Sequence, residues 1–427
     1  MSANDYLAQN TAVYDLNARS YADTWFNQTN LRDSLHSFLS EIPVDGDILD
    51  AGCGPGRDVA QMLEAGRFAV GIDISIGMIE EARRRCPDGL FRKMDMSRLA
   101  YPQNVFSGIW SCASLVHVSP DQLKLTLGEF HRALKPDGIL FLAVQEPPNG
   151  MEYETDSHGL HRWYHPLNRV RELLAQLDFT LISTLGAVGA SRSKTDQDVR
   201  IWTHFVAQKK DRQESGHSFA VDDCLLCYPS RFALNSQLKL PGASSIVFAN
   251  DDVFISPDIA PLAEGHLLIS TNSHYLNFGA TPEALSGGLV RAKEFVRETF
   301  DRCYNSGALF LEHGPARQKE AGACVDHAHL HCIPSDLDIR QILDEHLEKC
   351  MPATIETLRS LWKMSSSYVY CEHLNSGSAY PVGVVPSQML RLAIARAFGL
   401  NEWRWQDMCR KVEVQKRFMA TLSKSIR

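Results

Sequence analysis

Short apolar runs alternate with amphipathic stretches along the first half of the chain. Ile48-Leu49-Asp50-Ala51 reads as a strand and Asp58 to Ala65 as a helix. Phe68 to Ile72 is a strand again, and Gly77 to Arg85 a helix. Val105 to Trp110 and Ile139 to Val144 add two strands. Between them Pro120 to Leu134 makes a helix, stopped by Lys135-Pro136-Asp137-Gly138. This β-α-β rhythm predicts a doubly wound, mostly parallel α/β sheet of Rossmann-like form. The residues ahead of Glu41 carry a helical pattern and are expected to cover one side of the cleft.

The pattern changes after a polar run, Lys209-Lys210-Asp211-Arg212-Gln213-Glu214-Ser215-Gly216. A linker is expected over 209–220, dividing a first domain, 1–208, from a second, 221–427. Strands then come closer together: Ser245 to Phe248, Val253 to Ser256 and Leu267 to Ser270. One long helix is expected from Pro282 to Cys303, followed by a strand from Gly307 to Leu311. The tail from Asp336 onward adds helices and a strand over Ser366 to Cys371. This half reads as α+β.

Composition narrows the class. A chain of 427 residues with 44% hydrophobic and 22% charged residues suits two globular domains. A net charge of -8 argues against general nucleic-acid binding. Eleven scattered cysteines, no secretory apolar segment near Met1 and no apolar stretch of spanning length make a reduced, cytoplasmic enzyme the expectation. Only Cys224 and Cys227 have metal-like spacing.

Asp50-Ala51-Gly52-Cys53-Gly54-Pro55-Gly56 lies between the first strand and its helix. Glycines there let backbone approach a ligand, while helix N–H groups face the same space. Asp73 ends the next strand, where a carboxylate can accept from both ribose hydroxyls. Asp95-Met96 ends a third strand-like run, placing an acid and an apolar residue where an adenine ring could be bracketed. On these residues, with Val70-Gly71-Ile72-Asp73 and Lys135-Pro136-Asp137-Gly138-Ile139-Leu140, residues 1–208 resemble a class I S-adenosylmethionine-dependent methyltransferase. Asp137 stands for that family's usual Gly. Glycines at every second position, rather than Gly-x-Gly-x-x-Gly, favour the methyl donor over NAD. The resemblance implies that Asp50, Gly52 and Gly54 lie near the donor's methionine moiety. It implies Asp73 on the ribose and Asp95 on the adenine amine, with Cys53, Gly56, Ile74 and Met96 completing the set. The acceptor is expected to be a small molecule. His117 and the His158-to-His165 segment supply candidate bases, and a regulatory donor-binding module is the non-enzyme alternative.

His327, His329 and His331 alternate in Val325-Asp326-His327-Ala328-His329-Leu330-His331-Cys332-Ile333-Pro334. On a strand, residues i, i+2 and i+4 share a face, so all three imidazoles are expected in one space. Imidazole carries protons near neutral pH and can act as a nucleophile. Together with Pro261-Leu262-Ala263-Glu264-Gly265-His266-Leu267-Leu268-Ile269, this run makes residues 221–334 similar to the histidine-triad (HIT) superfamily. Ala321-Gly322-Ala323-Cys324-Val325 stands where that family has Ala-Gly-Gln-Ser/Thr-Val.

The resemblance implies attack of His329 on an α-phosphorus and a nucleotidyl-histidine intermediate. His331 and His266 would orient His329 and carry protons, and Asp258 would accept from the ribose hydroxyls. Cys324 would stand at the phosphate contact, and Gln388, opening a tail helix, would add a donor. His331 in the third triad position tilts the reading toward hydrolysis of a dinucleoside polyphosphate, a nucleotide phosphoramidate or an acyl adenylate. Nucleotidyl transfer or phosphorolysis, and a nucleotide sensor without turnover, are the alternatives. Zinc-bearing relatives imply a structural Zn²⁺ on Cys224, Cys227, His274 and His327. Small triad proteins often dimerise, so a homodimer is expected unless the tail takes that contact.

Overall fold

The computed structural model describes residues 3–29, 31–145, 151–156, 159–189, 200–210, 224, 226–227, 233–317, 325–347, 350–383, 386 and 388–426. The chain divides into two compact units, Met1–Ser215 and Gly216–Arg427. No helix among the described residues is long and apolar enough to cross a membrane.

In the first unit, helices α1 (Ala3–Trp25) and α2 (Arg32–Ser40) precede the sheet. Then come β1 (Ile48–Ala51), α3 (Arg57–Glu64), β2 (Ala69–Asp73), α4 (Ile76–Arg85), β3 (Leu90–Lys93), β4 (Phe106–Cys112), α5 (Pro120–Ala133) and β5 (Leu134–Gln145). A small hairpin, β6 (Tyr153–Thr155) with β7 (His161–Trp163), and α6 (Leu167–Gln176) lead to β8 (Phe179–Gly189) and β9 (Arg200–Lys209). The strand order is β3-β2-β1-β4-β5-β9-β8. The first five strands are parallel, and β9 and β8 add antiparallel. Chain direction across the sheet reverses between β1 and β4, so their carboxyl ends open a crevice. Asp137, at the position of the resembled family's Gly, has φ +59°, a conformation that short Asp tolerates.

The second unit is α+β. Short α7 (Ala233–Gln237) precedes β10 (Phe248–Ala249), β11 (Val253–Pro257) and β12 (Leu267–Thr271). Helix α8 (Ser286–Tyr304) is followed by β13 (Ala308–Gly314) and β14 (His329–Pro334). The tail supplies α9 (Arg340–Asp344), β15 (Met351–Pro352), α10 (Ile355–Lys363), β16 (Ser367–His373), β17 (Ser376–Val382), α11 (Met389–Ala397), α12 (Trp405–Met408) and α13 (Val412–Ser425). The antiparallel order is β10-β11-β12-β14-β13-β16-β17-β15. The expected strand over Ser245 to Phe248 starts only at Phe248; Ser245 ends a 3-10 turn, Ala243–Ser245, closed by its amide bonding to the Gly242 carbonyl.

Alternation along β13 sorts the two faces. Phe310 lies under Lys293 and Arg297 of α8. Leu309 and Leu311, on the other face, join a core with Leu343 of α9, Leu390 and Ile394 of α11, Met408 of α12 and Val414 of α13. The tail helices therefore pack on the face that carries the histidines. β16 also pairs along β13 from Leu309↔His373 to Gly314↔Tyr368, so the tail occupies that sheet edge within one chain. Leu374 and Asn375, both at positive φ, form the two-residue turn to β17.

Candidate functional sites

The crevice of the first unit is lined by Gly52 and Gly54 after β1, Asp73 and Ile74 at the end of β2, and Asp95, Met96 and Ser97 after β3. Asp73 is held in place by two amides: Oδ2 accepts from Gly54 at 3.0 Å and Oδ1 from Ser75 at 2.9 Å. Burial raises its pKa to about 6 despite those bonds. Asp95 accepts from the Ser97 amide and hydroxyl with Oδ1 alone, both at 2.8 Å, so it caps a turn while lining the crevice. Gly54 faces open space: an added Cβ would meet nothing within 4 Å.

Helix α1 roofs the site with Leu7, Asn10, Thr11, Tyr14 and Tyr21. It is pinned by Asp15, whose Oδ1 accepts from the Ser75 hydroxyl (2.6 Å) and the Gly77 amide (2.9 Å). His117 also lines the crevice, its Nε2 2.8 Å from the Tyr14 hydroxyl and its Nδ1 3.0 Å from the His161 carbonyl. Burial drops its pKa to about 4, so it is neutral at pH 7.

Three expected donor-site residues stand behind this wall. Cys53 belongs to the buried core, its Sγ over Gly71. Gly56 caps α3 at φ +83°, where a Cβ would strike the Phe91 ring at 2.7 Å. Asp50 is buried beside Asp58, and its Oδ2 has no hydrogen-bond partner among the described residues. Burial, then the Asp58 charge, pushes its pKa well up.

Gly52 is the tightest point of the loop. It has φ +83°, and a Cβ would sit 2.3 Å from Ser114 Cβ. Ser114 in turn donates to the Ala51 carbonyl at 2.9 Å. Gly52→Ala is expected to cost about 2–4 kcal/mol in urea unfolding, from left-handed strain plus overpacking, with partial recovery in Gly52→Ala/Ser114→Gly.

In the second unit the histidines separate into two groups. β14 begins at His329. Before it, the His327 amide bonds back to the Val325 carbonyl at 2.9 Å, and this bend turns its ring away from the other two. The expectation of three imidazoles in one space is therefore corrected: His327 faces a thiol cluster. Its Nδ1 is 3.5 Å from Cys224 Sγ and 3.4 Å from Cys227 Sγ, while Cys227 Sγ is 3.1 Å from His274 Nδ1. The four ligand atoms lie within 4.8 Å of one another. His327 Nε2 donates to the Thr271 carbonyl at 2.8 Å, which leaves the Nδ1 lone pair inward.

His329 stays on the sheet face. Its Nδ1 is 2.6 Å from the His327 carbonyl, an acceptor, so Nδ1 carries the proton and Nε2 keeps its lone pair. The ring is 5.2 Å from that of His331, which is 5.2 Å from that of His266. His266 Nδ1 accepts from the Leu262 amide at 3.2 Å, so its Nε2–H donates to His331 Nδ1 at 3.0 Å. His331 Nε2–H is then buried with no partner among the described residues. Burial lowers all three pKa values, that of His266 to about 4, so the group is neutral at pH 7. The 3.7 Å contacts of Asp258 with His266 and His331 are thus ion–dipole contacts, not ion pairs.

Two further expectations change. Asp258, assigned to ribose hydroxyls, is 4% exposed. Its Oδ1 accepts from the Ala260 amide (2.7 Å) and its Oδ2 from Arg391 (3.0 Å). Gln388, assigned to the nucleotide, is instead spent on the tail, donating to Gln406 at 2.8 Å and accepting from the Trp405 amide at 3.0 Å. Cys324 lies outside the described residues. One residue passed over in the sequence also comes in. His313 on β13 has the same parity as Leu311, which pairs with His331, so it stands on the histidine face; its Nε2 accepts from the Leu390 amide at 3.4 Å. The alternation Leu309, Leu311, His313 carried that signal.

Comparison with known proteins agrees with this division. A methyltransferase-domain family matches residues 48–138 and the HIT-domain family residues 242–337. A trans-aconitate 2-methyltransferase of Enterobacter sp. (strain 638) is 37% identical over 128 residues, 29% of this chain and 48% of that protein. A malonyl-[acyl-carrier protein] O-methyltransferase of Salmonella typhimurium is 30% identical over 93 residues, 22% of this chain and 36% of that protein. The chain spans about half the length of the curated relatives it matches first. Among solved structures, 1,6-didemethyltoxoflavin-N1-methyltransferase of Burkholderia thailandensis is 23% identical with a TM-score of 0.40, covering 49% of this chain and 92% of that one. One chain thus carries both a methyltransferase domain and a HIT domain.

Proposed function

We propose that the protein is bifunctional: the first unit methylates a small molecule with S-adenosylmethionine, and the second cleaves a nucleotidyl bond through His329. For the first unit the supporting observation is the crevice itself. Asp73 presents two amide-anchored oxygens, Asp95 and Met96 stand one strand over, and Gly54 leaves its side open. S-adenosylmethionine would supply an electrophilic methyl carbon on its sulfonium. Asp73 would take the ribose hydroxyls, Asp95 Oδ2 the adenine amine, and the α1 roof would exclude water and align the acceptor. Transfer of labelled methyl from the donor into a cell extract tests this; no labelled product from any extract would refute it.

Asp73 makes donor binding pH-dependent. Its carboxyl titrates near pH 6 in the free protein, and hydroxyl donors favour the ionised form, so its pKa falls on binding. Affinity for S-adenosylhomocysteine is expected to be level above about pH 7 and to weaken up to tenfold per pH unit below 6. Calorimetric titration from pH 5 to 8 checks this, and Asp73→Asn should flatten the profile.

For the second unit the carrying observation is the tautomer of His329. With Nδ1–H tied to the His327 carbonyl, Nε2 offers its lone pair beside the Nε2–H of His331, which has no partner among the described residues. Nε2 attacks the α-phosphorus and forms a P–N bond as the bond to the leaving group breaks. His331 donates a hydrogen bond to that group, which takes its proton from solvent. Water then attacks phosphorus, loses a proton to solvent and releases the nucleotide as the P–N bond breaks, which returns the lone pair to His329 Nε2. Product analysis in ¹⁸O-water would place one label in the released nucleotide; a nucleoside diphosphate formed only with inorganic phosphate would instead show phosphorolysis.

The thiol cluster fits zinc. Tetrahedral Zn–S and Zn–N bonds of about 2.3 and 2.05 Å set sulfur and nitrogen ligands roughly 3.5 Å apart. The observed separations are 3.1 to 3.5 Å. Cys224, Cys227, His274 and His327 would fill all four positions, a structural ion that fixes the entry to β14.

A further inference from the structure

The tail helix α11 reaches the histidine group through one side chain. Arg391 is 1% exposed, and each of its three guanidinium nitrogens donates a hydrogen bond to oxygen. Nη1 donates to Asp258 Oδ2 at 3.0 Å, Nη2 to the Ala260 carbonyl at 2.6 Å and Nε to the Trp403 carbonyl at 2.7 Å. Asp258 is buried and bonded through both oxygens. Oδ1 holds the Ala260 amide, and Oδ2 faces Arg391 with His266 Nε2 and His331 Nδ1 each at 3.7 Å. The carboxylate, His266 and His331 have the spacing of a metal site, their ligand atoms lying within 4.8 Å. Arg391 already supplies the cation there, at the oxygen an ion would need.

We propose that Arg391 converts Asp258 from a sugar-binding carboxylate into the electrostatic partner of the His266–His331 pair. This rests on the nucleotidyl reading of the second unit. Removed from the ligand by the Ala260 and Arg391 bonds, Asp258 acts through the two imidazoles. Its charge sits beside the Nε2–H···Nδ1 bond between them, so it holds the pair in that tautomer and stabilises the positive charge that the neighbouring His329 ring gains when its Nε2 bonds phosphorus. Asp258 and Arg391 are positioning residues. The second consequence concerns specificity. A site built to hydrogen-bond a substrate hydroxyl rejects the analogue lacking it by orders of magnitude. With Asp258 spent inside the fold, the sugar hydroxyls do not determine which nucleotide is cleaved.

The test compares adenosine 5′-phosphoramidate with its 2′-deoxy and 3′-deoxy analogues. The wild-type protein is expected to show kcat/KM values within about threefold of one another. Asp258→Asn is expected to lower kcat at least tenfold on all three with KM and the ratios unchanged, and Arg391→Lys to keep more activity than Arg391→Gln. A ribonucleotide preference above thirtyfold in the wild type overturns the proposal without any variant, as does an Asp258→Asn variant that raises KM for the ribonucleotide alone. Failure to turn over any of the three overturns the nucleotidyl reading and this inference with it, whereas turnover with strong ribose preference overturns only the inference.

Discussion

Replacing His329 with alanine is expected to lower nucleotide cleavage by three orders of magnitude or more. The other rings cannot substitute. His331 Nδ1 is bonded to His266, His266 is fully buried with both nitrogens engaged, and His327 points its Nδ1 into the thiol cluster. A covalent route that loses its nucleophile falls back on water and on the remaining polar groups. Steady-state kinetics measure the loss. Metal content and thermal midpoint measured on the same sample should stay near wild type, because His329 contributes no ligand atom to the cluster. A variant that retained a tenth of the rate would remove His329 from the chemistry.

Loss of the thiol cluster should damage structure rather than chemistry alone. Cys227 Sγ approaches both His274 and His327, so Cys227→Ser removes the most connected corner. Without an ion the Cys224 thiol is pushed up to about 11 by its bond with Cys227 and by burial, so it would be protonated at neutral pH. A structural ion contributes its binding energy to folding. The wild type is expected to carry one zinc per chain by elemental analysis. Cys227→Ser should lose it, and the midpoint of the second unit should drop by about 10 °C or more, at roughly 2–4 °C per kcal/mol for a unit of this size. A wild-type protein free of zinc, with a melting curve indifferent to chelator, would contradict the assignment.

Local patterns foretold much of this molecule, for physical reasons. β1 is a four-residue apolar run bounded by turn signals, and its predicted limits, Ile48 to Ala51, match the strand. The loop after it and Asp73 lie on one crevice, because parallel sheets put those loops at the same edge. The paired rings of His329 and His331 followed from strand alternation. Alternation failed at His327, because a period of two holds only inside the strand and the chain bends before β14 begins. Contacts between distant segments were not legible. Nothing near Asp258 announces Arg391, 133 residues away. Nothing near Gln388 shows that its amide is spent on Gln406 and Trp405. The closure of the β13 edge by β16 likewise depends on a pairing that no local pattern specifies.

Covalent nucleotidylation of His329 is the step that the proposed chemistry of the second unit requires. Intact-protein mass spectrometry after brief mixing with adenosine 5′-phosphoramidate and alkaline quenching at an early time, which preserves a P–N bond, tests it, with peptide mapping at alkaline pH to locate the modification. The expected result is a mass gain of one adenylyl group on the peptide containing His329, absent from His329→Ala and slower to form in Asp258→Asn. Turnover at full rate with no adduct at any time point, or an adduct mapped to another residue, would contradict it.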